Sequence, residues 1–363
     1  MTDPTQLRLQ CNTFFSGERP LSAAEEFAAM AQWCAAHDIP HDTYGEGELI
    51  QSFEQKIADL LGFERGLFFI SGTMTQPTAL RLACEARNSR LAALHPSSHI
   101  LLHERGNFQL LDHFKSLAVG DPHRPWTVDD LKAWPDRIGA ALYELPMREI
   151  GGQSPTWEQL VAIKDYCREQ DIHLHMDGAR LWEAAAWYGR PYREIADGFQ
   201  SVYVSFYKGI GGLGGAMLLG AAGFIDKARV WMQRQGGNVY RRSPYVVAAA
   251  MRFDARIAAM PAYFARTEWL YDVLRDYPQW RVNPARPQAN MLHVHFPAGR
   301  ERLTTIRDTL AREHRIWLFG GARHAALPDT SVVEWYVGEA LLNMPDARVR
   351  EILDLLAARL AEG

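Results

Sequence analysis

From about residue 50 to residue 220, short runs that are apolar throughout alternate with stretches whose apolar residues recur at helical spacing, and this narrows the possible folds most. "ELIQSFEQKIADLLGF" has helical spacing, "RGLFFI" is a short apolar run, and "TQPTALRLACEAR" is helical again. The series continues through "HILLHE", "AALYEL", "TWEQLVAIKDYCREQ", "IHLHMD", "LWEAAAWYG", "SVYVSFY" and "GGAMLLG". Strands apolar on both faces and separated by amphipathic helices belong in a mainly parallel sheet covered by helices, so the expected class is α/β. After "RRSPYVVAAAMRFDARIAAM", which reads as a long helix, a smaller mixed α/β unit follows. Its strands are "NMLHVHF", "RIWLF" and "SVVEWYVGEAL"; its helices are "RERLTTIRDTLAREH" and "DARVREILDLLAARLAEG". A chain of 363 residues exceeds the usual size of one core. We therefore expect an N-terminal arm over residues 1–45, a large domain over 46–250 and a small C-terminal domain over 251–363.

A formal net charge of −4 offers no general attraction to nucleic acid or anionic membrane, so a small molecule is the expected partner. No apolar run approaches the roughly 20 residues of a membrane span, and the start of the chain lacks a basic segment followed by an apolar one. The expected location is cytoplasmic. Cys11, Cys34, Cys84 and Cys167 are far apart, with no metal-ligand spacing, and are read as reduced thiols. No metal site is expected.

Ligands of open α/β sheets collect outside the carboxyl ends of the strands, and three stretches place polar residues there. In "FFISGTMTQPTAL" an apolar strand runs into Ser71-Gly72-Thr73 and then a helix. This is either an N-capped helix or a turn whose backbone N–H groups bind phosphate. In "DIHLHMDGARLWEAA" a strand delivers Asp177 to its end and Arg180 opens the next helix, with Asp177 either capping that helix or facing a ligand. Lys208, in "SFYKGIGG", follows Asp177 by about one βαβ unit, so both come to the same sheet edge. A Schiff-base lysine, a carboxylate for a pyridine nitrogen and a phosphate turn are the three parts that pyridoxal phosphate chemistry requires.

"HMDGARLWEAAAWYG" followed by "SVYVSFYKGIGGLGGAMLLG" resembles the threonine aldolases, of the β-eliminating lyase group of fold-type I pyridoxal phosphate enzymes. The similarity extends upstream through "YGEGELIQSFEQKIADLLGFERGLFFISGTMTQPTAL" and "SSHILLHE". It implies an aspartate aminotransferase-like fold, bound pyridoxal 5′-phosphate and a homodimer or homotetramer. Lys208 would carry the internal aldimine, Asp177 would pair with the pyridinium nitrogen, and Ser71, Gly72 and Thr73 would hold the phosphate. His99 would stack on the ring, Arg180 would bind the substrate carboxylate or tune the ring, and Tyr44-Gly45 would lie near the site. Arg234, Arg241 and Arg242 would be either further phosphate ligands or solvated surface residues. The implied reaction is retro-aldol cleavage of a β-hydroxy-α-amino acid of the threonine or allo-threonine type to glycine and an aldehyde. The alternatives are β-elimination from another amino acid and a non-catalytic relative of the fold.

The chain departs from the family pattern in several places. Cys11-Asn12-Thr13 stands for Ser-Asp-Thr, and after Glu144 "LPMRE" stands for Asn-Thr-His-Asn, so Met147 occupies the place of a histidine, with Arg148 beside it. Glu334 or Trp335 stands about where a substrate-binding arginine is usual, which leaves Arg180, Arg148 or Arg323 to replace it. Tyr207 precedes the lysine where a small hydroxyl residue is usual, either packing or donating a proton.

Overall fold

The computed structural model describes residues 3–362. Its strands are β1 (Thr13–Phe14), β2 (Arg65–Phe69), β3 (Leu91–Leu94), β4 (Lys115–Ala118), β5 (Ala140–Glu144), β6 (His173–Gly178) and β7 (Ser201–Ser205). They continue as β8 (Ala216–Gly220), β9 (Arg281–Asn283), β10 (Met291–Phe296), β11 (Ile316–Trp317), β12 (Ala322–His324) and β13 (Ser331–Tyr336). The chain divides into two compact units. The larger comprises residues 26–149 and 153–258; the smaller comprises 1–25, 150–152 and 259–363, masked ends aside. The division falls inside the helix Ser243–Leu274, the long helix expected from the sequence.

The larger unit holds a seven-stranded sheet in the order β2-β8-β7-β6-β5-β3-β4. Neighbours are parallel except at β8, which is antiparallel to both β2 and β7, so six strands point one way. Every residue of β5, β6, β7 and β8 is buried, which is why β5 and β8 are almost wholly apolar, whereas β6 buries His173, His175 and Asp177 between apolar residues. One expected strand is a helix: "HILLHE" forms the helix His99–His103, after β3 has already ended at Leu94. A short apolar run has no period long enough to tell the two states apart, and here tertiary packing of Ile100 against Leu94 and Phe108 decides.

In the smaller unit, four antiparallel strands run in the order β12-β13-β10-β9, two more than the sequence reading supplied to this sheet. "RIWLF" contributes only β11, which pairs in parallel with β1. Residues 3–25 therefore belong to this unit, where Leu7, Cys11 and Phe14 are buried with Ala311 and Trp317. Residues 26–45, the rest of the expected arm, belong to the larger unit.

Candidate active site

The register of three central strands brings side chains of the larger unit together. Glu144 of β5 is opposite Asp177 of β6, and Asp177 is opposite Tyr203 of β7. Since β2 and β3 run in the same direction, the Ser71–Thr73 turn, the loop to His99 and the Lys208 loop all leave the sheet at this carboxyl edge. Three segments distant in sequence thus meet because parallel strands share an end.

The helix Gly72–Ala86 begins at this edge, with Ser71 in extended geometry and no side-chain cap on its first N–H groups. Those groups and the helix dipole suit an anion. Only glycine fits at position 72, because a Cβ there would stand 2.3 Å from the Tyr203 hydroxyl. One turn on, Gln76 donates Nε2–H to Asp177 Oδ2 at 2.9 Å, and the backbone N–H of Ala179 donates to Oδ1 at 3.1 Å. Pro77 cannot donate to the carbonyl four residues earlier, so Thr73 O is open to another donor. Asn107 Nδ2 fills that place at 3.3 Å and also donates to Glu104 Oε2 at 2.9 Å.

Lys208 follows β7, in a loop closed by Gly211 N–H donating to Lys208 O and Gly212 N–H donating to Phe206 O. Burial pulls the Lys208 ammonium below its ordinary pKa, opposed by the nearby Asp177. His99, half-buried, is likewise lowered by burial and opposed by Asp177; its ring lies 5.0 Å from that of His103. Burial raises the carboxyls: Glu104 to about 7 and Glu144 well above the ordinary range, each pushed further by Asp177. Glu144 Oε1 accepts from the backbone N–H of Arg148 at 3.1 Å. Gln76 Oε1 and Glu144 Oε2 are buried and receive no hydrogen bond from the chain. A carboxylate, an amine of lowered basicity and an uncapped helix start at one edge are the donor set that a phosphorylated pyridine aldehyde needs.

Arg180 is paired with the fully buried Glu183, at 2.9 Å and 3.2 Å, and Glu183 lies beneath the lysine loop, where a Cβ on Gly209 would approach Oε1 to 2.4 Å. Arg148 is 3.3 Å from Glu149. Tyr207 is 42% exposed, next to Lys208, whose Nζ is 5.9 Å from the phenol ring; burial of the rest raises its pKa, and its hydroxyl interacts with that of Tyr203. Met147 is fully buried. Arg242 is also buried, donating to Phe68 O at 3.0 Å and Tyr44 O at 2.5 Å, and its guanidinium fills the space over Gly45. Arg241 bonds Asp42 O and Thr43, Arg234 lies over the Trp231 ring, and Tyr44 packs edge-on against Tyr240.

In the smaller unit, Cys11 is buried and Asn12 is exposed, with its backbone N–H bonded to Arg315 O. Trp335 is in the core of that unit, while Glu334, on the opposite sheet face, lies 3.4 Å from His293; Arg323 is 3.4 Å from the same imidazole nitrogen. Sequence reading passed over Gln76, Glu104, Glu183 and Tyr203. Gln76 carried one usable signal, its place one helical turn after Gly72, which puts it on the same face as the anion site.

The chain is 34% identical to a Listeria monocytogenes EGD-E protein provisionally assigned as an L-allo-threonine aldolase, with a TM-score of 0.89 over 98% of both chains. It is also 34% identical, at the same TM-score and over 99% of both chains, to an Exiguobacterium sp. 255-15 protein provisionally assigned as an aromatic amino acid β-eliminating lyase/threonine aldolase. The low-specificity L-threonine aldolase of Eremothecium gossypii is 31% identical over 218 residues, 54% of this chain and 53% of that one. That match and the one to the Saccharomyces cerevisiae aldolase span about half the length of those relatives. The large, mostly parallel sheet is that of the fold-type I pyridoxal phosphate enzymes. Residues 22–297 match the β-eliminating lyase family, and the chain belongs to that family.

Proposed function

We propose that the protein is a pyridoxal phosphate-dependent aldolase that cleaves a β-hydroxy-α-amino acid of the threonine or allo-threonine type to glycine and an aldehyde. The observation that carries this reading is the meeting of Lys208, Asp177 and the uncapped start of the helix Gly72–Ala86 at one sheet edge. Lys208 would hold the cofactor through Nζ, Asp177 would face its ring nitrogen, Ser71, Gly72 and Thr73 would hold its phosphate, and His99 would stack on the ring. When bound, the cofactor supplies a sink for the electron pair left at Cα.

The protein's own groups prepare the remaining steps. Burial keeps more of the Lys208 amine uncharged near neutrality than for an exposed lysine, so Nζ is available as a nucleophile. Glu104, with its pKa near 7, can hold or release a proton at a carboxyl oxygen over the working range. Arg180, oriented by Glu183, is proposed to receive the substrate carboxylate, which fixes the bond presented for cleavage. A homodimer or homotetramer and a cytoplasmic location complete the proposal; among the described residues no helix is long and apolar enough to cross a membrane.

The test is to supply purified protein and cofactor with L-threonine, L-allo-threonine and a β-chloro amino acid, and to measure aldehyde, glycine and pyruvate. Aldehyde with equimolar glycine supports the aldolase. Pyruvate without aldehyde would assign β-elimination instead.

A further inference from the structure

Gln76 is 2% exposed, one turn into a largely buried helix, and 101 residues from its partner Asp177. Its Nε2 donates to Asp177 Oδ2 at 2.9 Å, while its Oε1 is buried with no hydrogen bond from the chain. Exchanging the two amide atoms would set an oxygen against a carboxylate oxygen, acceptor against acceptor, so this orientation is the one chemistry allows. An apolar side chain of the same size would avoid the cost of a buried unpaired acceptor, so packing alone does not account for a glutamine here.

We infer that Gln76 is a positioning residue that fixes the Asp177 carboxylate against a ligand's ring nitrogen, an inference that rests on the proposed cofactor. Asp177 accepts one hydrogen bond on each oxygen, from Gln76 and from the backbone of Ala179, and both donors are neutral. Neutral donors hold a carboxylate in place without bringing a positive charge of their own to it, so the carboxylate can still meet a pyridinium N–H. The helix that carries Gln76 also opens with Ser71–Thr73, so one rigid element sets both the anion site and the direction of Asp177. A one-turn rise of about 5.4 Å separates the two points along the helix axis.

The test compares binding of pyridoxal 5′-phosphate with binding of its 1-deaza analogue, which keeps the aldehyde and phosphate but has carbon in place of the ring nitrogen. For Gln76→Leu, the dissociation constant for pyridoxal 5′-phosphate should rise about tenfold while that for the deaza analogue stays within about twofold. A purely structural role would weaken both equally, and an unchanged ratio of the two constants in a folded Gln76→Leu protein overturns the inference. Should that variant fail to fold, Gln76→Met, an apolar side chain of nearly the same length, carries the test: the preference for the nitrogen-containing ring should fall as for Gln76→Leu, and an unchanged preference overturns the inference. Asp177→Asn separates the two levels. If it collapses the preference and Gln76→Leu does not, only the role of Gln76 falls; if it too changes nothing, the proposed cofactor contact itself is wrong.

Discussion

Strand β6 buries polar side chains at both of its ends, and the ends differ in whether those groups carry charge. At the start, His173 Nε2 and His175 Nδ1 each lie 2.7 Å from Ser201 Oγ, and burial pushes both imidazoles down to about 3. They are neutral throughout the physiological range, joined to a hydroxyl that can donate to one and accept from the other. At the carboxyl end, Asp177 is equally buried, but its donors are neutral, and around it stand Lys208, Glu104 and Glu144 with displaced pKa values. Burial is the same at both ends. A neutral network joined through one hydroxyl serves the fold, even with His175 Nε2 left unpaired, whereas a carboxylate, an amine and two carboxyls gathered at a strand end provide for chemistry.

The comparison fails most visibly if the charged end proves dispensable. Lys208→Ala should lower aldehyde release from the preferred substrate by about 10³-fold or more; a variant keeping a tenth of the wild-type rate would remove the amine from the chemistry. Asp177→Asn should cost about 10²-fold in kcat/KM with the fold retained by circular dichroism, since the side chain keeps its shape and loses its charge. Ser201→Ala, at the neutral end, should do the reverse. Its kcat should stay within about twofold while denaturant unfolding shows a loss of about 1–3 kcal/mol, because two buried imidazoles lose their shared partner.

The smallest expected effect concerns pH. Glu104 titrates near 7 in the folded protein and near its ordinary value when unfolded, so between those values the native state holds a proton that the unfolded state has released. Its contribution to stability is therefore complete below about pH 4.5 and is lost as pH rises through about 7. Thermal melts of wild type and Glu104→Gln should show the wild-type advantage shrinking from acid to neutral pH. A difference that does not change with pH would mean that Glu104 titrates normally and leaves the acid–base role assigned to it without support.

Much of this arrangement is legible in one dimension because it is local. A strand buried on both faces is mostly apolar whatever its direction, so β5 to β8 stand out, and the residue at each strand end is set by where the apolar run stops: Asp177, then the Lys208 loop. The turn Ser71-Gly72-Thr73 is visible for the same reason, since its glycine is required by close approach, here to Tyr203. Tertiary structure decided what depends on partners far along the chain. It made "HILLHE" a helix, gave Gln76 to Asp177, placed Glu183 beneath Gly209 and Arg180, and turned Arg242 inward onto Phe68 and Tyr44. Periodicity states which face of an element is buried; which charged group meets which is set only when the strands take their order in the sheet.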